Sequence, residues 1–173
     1  LRIVSLGFLL LTVANADAEH DEVLQKQLKQ VFPAAATFSD KTGTPGVYRA
    51  YGPASGGQEG ELLGLAFWTT ELEPLERGFD GPIKMLVGLD TKGVITGVIV
   101  TEHREPYGYF SVELPEFADQ FKGKSIRDPF KVGSDVDAIT RATISVTSAS
   151  RAIRNASRKV ARAYLAPPPA SAQ

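Results

Sequence analysis

Ile83-Lys84-Met85-Leu86-Val87-Gly88-Leu89-Asp90, then Thr91-Lys92-Gly93, then Val94-Ile95-Thr96-Gly97-Val98-Ile99-Val100-Thr101-Glu102-His103 is the stretch on which the fold turns. Two apolar, β-branched runs joined by a short loop containing Gly predict a β-hairpin, and their apolar content predicts central strands. Upstream, Glu61 to Thr70 reads as a strand, Gly52 to Gly60 as a flexible loop, Val47 to Tyr51 as that strand's partner and Thr42 to Gly46 as a turn. Before them, Val23, Leu24, Leu28, Val31 and Phe32 recur at helical spacing and Pro33 closes the pattern. Downstream, Pro106 and Gly108 break the strand pattern in an aromatic-rich loop, Glu105 to Phe110. Phe117, Phe121 and Ile126 predict a short helix ending near Gly123.

The last helix is expected to begin near Thr143 or Ser145. Val146, Ala149, Ile153, Ala156, Val160 and Tyr164 form its packing face, while Arg151, Arg154, Arg158 and Arg162 line another, read as solvated. The expectation is an α+β fold: a single domain with a mainly antiparallel sheet built from hairpins, flanked by an N-terminal helix and a long C-terminal helix.

The chain's 173 residues, 43% of them apolar, suit one core. A net charge of −1 speaks against nucleic acid, which needs a basic face. Residues 1–18 carry a short apolar run behind Arg2 and end in Ala16-Asp17-Ala18, the pattern of an export signal with a small-residue cleavage site. A buried strand or helix is the competing reading of that run, but polar Glu19-His20-Asp21-Glu22 follows at once. No segment reaches the roughly 20 apolar residues of a membrane span. The expected organisation is therefore a signal peptide, 1–18, a domain, 19–165, and a disordered Pro/Ala-rich tail, 166–173, with the product in the periplasm.

There is no cysteine, which excludes a thiol redox pair, a cysteine nucleophile, a cysteine-ligated iron–sulfur cluster and covalently attached c-type haem. His20 and His103 are the only histidines, so neither a His-based metal site nor a Ser/His/Asp triad is expected. Redox chemistry here would need an organic cofactor.

Asp137-Ala138-Ile139-Thr140-Arg141-Ala142-Thr143 stands where loop gives way to the last helix. A helix start offers unpaired N–H groups and a positive dipole end, a seat for phosphate. A threonine hydroxyl there can be esterified by a phosphate that the site holds. Arg141 adds a cation suited to a phosphate oxygen or an electron-rich ring, and Ala142 lets backbone approach. Plain helix caps are the alternative for Thr140 and Thr143. His103 and Glu105 are either site residues or exposed turn residues; Tyr107, Tyr109, Phe110 and Trp68 are either ring partners or core aromatics.

Asp-x-x-Thr-x-Ala-Thr, Asp137 to Thr143, resembles the flavinylation motif of FMN-binding domains in the C and G subunits of sodium-pumping and Rnf-type respiratory complexes. Where that motif usually has Gly, this chain has Arg141. Gly78 to Asp90, the hairpin, and Glu102-His103-Arg104-Glu105-Pro106 look most like the periplasmic FMN-binding domain of NosR/NirI-type regulators of denitrification. Gln120 to Lys124 is similar to a stretch common across the family. The resemblance implies FMN esterified through its phosphate to Thr143, with Asp137, Thr140, Arg141, Ala142, Glu105, His103 and Tyr107 as further cofactor-binding candidates and no catalytic or metal-binding residue. It implies an electron-transfer flavoprotein rather than an enzyme with its own substrate, with redox partner proteins, a flavin transferase and a membrane-associated respiratory complex as partners. A redox-sensing or maturation module and a flavin-free binding domain are the alternatives.

Overall fold

The computed structural model describes residues 21–56 and 60–165. The expected signal peptide and Pro/Ala-rich tail, and 57–59 of the expected Gly52–Gly60 loop, lie outside these residues. Helix α1 covers 21–31. Strands β1 (Thr37–Phe38), β2 (Tyr48–Tyr51) and β3 (Leu62–Trp68) follow, then a single helical turn, α2 (Thr69–Leu72). Strands β4 (Lys84–Asp90) and β5 (Ile95–Glu102) come next, then a 3-10 turn at Gly108–Phe110, helix α3 (Pro115–Asp119) and helix α4 (Thr143–Tyr164). The strands form one antiparallel sheet in chain order β1-β2-β3-β4-β5, so β4 is central as expected but β5 is an edge strand. The chain is thus the α+β domain that its hairpins imply.

The β4–β5 hairpin turns on local chemistry. The Asp90 carboxyl accepts the amides of Lys92 and Val94, both at 2.8 Å, and Gly93 takes φ 79°, a left-handed conformation that costs a residue without Cβ nothing. That turn sets Leu89 opposite Ile95. Alternation along β3 and β4 then sends side chains to two different cores. Leu65, Phe67, Met85, Val87 and Leu89 meet α4, whereas Ala66, Trp68 and Leu86 meet Leu28, Val31 and Phe32 of the α1 side. Both sheet faces are covered, so these strands read as continuous apolar runs rather than alternating ones.

Strand β3 is shorter than the expected span Glu61 to Thr70: the ladder stops at Trp68 and Thr69 turns into α2. Thr69 is buried; its hydroxyl accepts the amide of Met85 at 3.1 Å, which joins α2 to the start of β4. In α4 the packing face is rich in small residues, with Ala149, Ala152, Ala156 and Ser157 buried beside Val146, Ile153 and Val160. The arginine stripe departs from a purely solvated face. Arg158 donates to the carbonyls of Ile126 (2.7 Å) and Asp128 (2.9 Å), and Arg154 to that of Pro129 (3.3 Å). The connection after α3 leaves carbonyls without ladder partners, and these guanidinium groups satisfy them.

Candidate functional site

Three connections meet at the N-terminal end of α4: the bend before β4, the turn after β5, and the segment that enters the helix. They enclose a cleft of about 280 Å³ lined by Phe79, Pro106, Tyr107, Arg141, Ala142, Thr143, Ile144 and Ser145.

The helix start is open. Its N-cap residue is Ala142, which has no capping side chain, and the first helical backbone bond runs from the Val146 amide to the Ala142 carbonyl at 2.9 Å. Neither Thr140 nor Thr143 therefore serves as a plain cap. The amides of Thr143, Ile144 and Ser145 have no acceptor among the described residues, and a 22-residue helix places its positive dipole end behind them. Thr143, the first helical residue, is exposed. Arg141, also exposed, has φ 68° and no ion-pair partner among the described residues. An arginine therefore occupies the left-handed backbone that favours glycine, at the position where the resembling motif carries Gly.

Opposite the helix start the cleft wall is apolar. Phe79 is 67% exposed and Tyr107 47%, and Ile144 adds an exposed aliphatic side chain on α4 itself. Exposed large side chains gathered on one rim mark a binding surface rather than a core. Trp68, by contrast, is buried in the α1-side core, and Tyr109 is exposed.

Glu105 lies behind this wall and is buried, not an exposed turn residue. Its carboxyl accepts the amides of Phe79 (3.0 Å) and Asp80 (3.1 Å) and the hydroxyl of Ser145. Gly78 permits that approach, because a Cβ there would stand 2.4 Å from Glu105 Oε1. His103 is one step further back. Its Nδ1 accepts the Glu105 amide at 3.1 Å, which puts the ring proton on Nε2, facing Glu113 Oε1 at 3.1 Å.

Of the residues singled out from sequence, Arg141, Ala142, Thr143 and Tyr107 line the cleft, Glu105 supports it, and His103 braces the turn that carries Glu105. Asp137 and Thr140 are exposed and do not line it; the Asp137 amide instead binds Gln120 Oε1 at 2.8 Å. Phe79, Pro106, Ile144 and Ser145 are lining residues that sequence reasoning did not single out. Phe79 and Pro106 lie within segments that carry the family resemblance, but the bond between Ser145 and Glu105 spans 40 positions and leaves no local signal. Among the described residues no acidic or histidine cluster could hold a metal ion, and no helix is long and apolar enough to cross a membrane.

An open helix start, a cation and an exposed hydroxyl thus stand beside an apolar, aromatic-rimmed cleft, features suited to a planar group bearing a phosphate. Residues 78–158 match the FMN-binding domain family. The chain is 32% identical over 163 residues to the regulatory protein NosR of Pseudomonas aeruginosa, an alignment covering 88% of this chain and 22% of NosR. It is 34% identical over 89 residues to the G subunit of the ion-translocating oxidoreductase complex of Escherichia coli, covering 46% of this chain and 43% of that protein. The corresponding G subunit of Vibrio vulnificus is 32% identical over 88 residues, 45% of this chain and 42% of that protein. The chain thus spans about a fifth of NosR and less than half of the G subunits.

Proposed function

We propose that this chain is an exported single-flavin electron-transfer domain that carries FMN esterified through its phosphate to Thr143. The observation that carries this reading is the exposed Thr143 hydroxyl on the open first turn of α4, beside Arg141 and within the segment matched by the FMN-binding family. The first-turn amides and Arg141 would hold the phosphate; Phe79, Tyr107 and Ile144 offer apolar surface to the ring. The flavin, when bound, supplies the redox chemistry, and the protein orients it and tunes its surroundings. An ester tether prevents loss of the cofactor in a compartment poor in free FMN. Attachment would join Thr143 Oγ1 to the FMN phosphorus of a flavin dinucleotide while the pyrophosphate bond breaks, and the nucleoside monophosphate and the hydroxyl proton leave, a step assigned to a separate flavin transferase.

The electron donors and acceptors would be proteins of a membrane-associated respiratory complex, a setting suggested by the ion-translocating complexes to which the G-subunit relatives belong. A sensing module is the second reading, supported by the alignment with a regulatory protein across 88% of this chain. Intact mass after co-production with a flavin transferase tests the site: wild type gains one FMN phosphoester and Thr143→Ala does not. Covalent flavin that persists in Thr143→Ala would refute the assignment. Export is tested by cell fractionation and N-terminal sequencing, with a periplasmic product beginning at Glu19 as the expected result.

A further inference from the structure

Glu105 has more partners than a turn residue needs. Only 6% exposed, it forms no salt bridge among the described residues and is held instead by three neutral donors from two distant segments, Phe79 and Asp80 before β4 and Ser145 in the first turn of α4. Burial of a carboxylate without a cation is costly, and an apolar side chain of similar size would fill the space without that penalty. What the carboxylate supplies, and an apolar group could not, is a joint between three walls of one cleft. Through the Phe79 amide it fixes one exposed aromatic ring. Through its own turn, closed by the Gly108 amide on the Glu105 carbonyl at 3.1 Å, it carries Pro106 and Tyr107. Through Ser145 it grips the helix two residues beyond Thr143.

We propose that Glu105 is a positioning residue for the flavin: its buried carboxylate sets the aromatic walls of the cleft at a defined place relative to the attachment oxygen of Thr143. This rests on the flavin reading above and deepens it. With the joint intact, a ring tethered at Thr143 is held in one orientation against Phe79 and Tyr107. Without it, the tether remains but the ring has no fixed wall. The carboxylate is also a negative charge in a poorly screened place, which disfavours addition of electrons to the ring and lowers its midpoint potential.

Glu105→Gln separates these effects from attachment. The amide keeps the volume but offers one acceptor and one donor group where the three partners include two amides that can only donate, so at least one bond is lost. The full chain would be co-produced with a flavin transferase and examined by intact mass, visible circular dichroism of the flavin and redox titration. The expected result is a flavinylated variant with most of the flavin dichroism lost and a midpoint potential shifted upward. Ser145→Ala, which removes one tie and leaves the charge, is expected to reduce the dichroism with a smaller change in potential, and it carries the test should Glu105→Gln not fold. Dichroism and potential equal to wild type in the folded variants would overturn the proposal. Absence of flavin from the wild type would instead refute the flavin reading itself, so the two failures are distinguishable.

Discussion

Phe130 and Arg141 both hold left-handed backbone, at φ 51° and φ 68°, and both stand in the connection between α3 and α4. Their surroundings are opposite. Phe130 is buried, stacks on Phe121 with ring centroids 6.1 Å apart, and gives its amide to the Asp135 carboxyl at 3.0 Å. Arg141 is exposed on the cleft rim. Left-handed backbone costs a residue with a Cβ roughly 1–2 kcal/mol. At Phe130 the core offsets that cost, because a buried aromatic ring is worth several times as much. At Arg141 no side-chain ion pair among the described residues offsets it, and the residue borders a cleft that lies within the family match. Strain held by packing reports on the fold, whereas strain without packing points to a site.

The largest test of this contrast is Phe130→Ala, expected to cost about 3–5 kcal/mol in urea unfolding, because a cavity opens and the backbone strain stays. A loss under about 1 kcal/mol would mean that the core does not secure this turn.

Asp135→Asn comes next. Partial burial pushes the Asp135 carboxyl up, but the amides of Lys131 and Phe130 and the Lys124 ammonium outweigh it and hold the group below the usual carboxylate range. A lowered folded value means that the ionised form stabilises the fold. That contribution is fully present above about pH 4 and is lost as pH falls through the lowered value. The substitution should cost roughly 1–2 kcal/mol at pH 7, and the gap from wild type should close on acidification. A gap that is constant with pH would break the assignment.

Arg141→Gly has the opposite sign. Relief of the left-handed strain, partly offset by the entropy of glycine, should stabilise the chain by up to about 1 kcal/mol. The variant is expected to keep its flavin, with the midpoint potential moved down by loss of the cation. A destabilised variant would show that the side chain is packed after all. The smallest change in stability belongs to Thr143→Ala, within about 0.5 kcal/mol because the residue is exposed and does not cap the helix, although under the proposed function its attached flavin would be lost entirely.

Much of this architecture was legible locally. The β4–β5 hairpin follows from its apolar runs and from turn chemistry contained in Asp90 to Val94. The start of α4 at Thr143 was readable because its apolar periodicity and the residues that precede it are local features. The strand ending at Trp68 was overestimated because Thr69 has strand propensity, and its tertiary bond to Met85 decides otherwise. The arginine stripe misled for a similar reason: its partners are carbonyls of a connection about 30 positions away.

By itself, then, the sequence determined the hairpins, the apolar faces, the long last helix and the Asp137–Thr143 segment at its start, because each is written in neighbouring residues. Only the tertiary structure decided that Phe79, Tyr107 and Ile144 share a cleft with Thr143, that Arg141 sits in left-handed backbone, and that Glu105 is buried beneath them. Those relations join residues distant in the chain, such as Glu105 and Ser145, 40 positions apart. They depend on where the sheet ends and the helix begins, which no local pattern encodes.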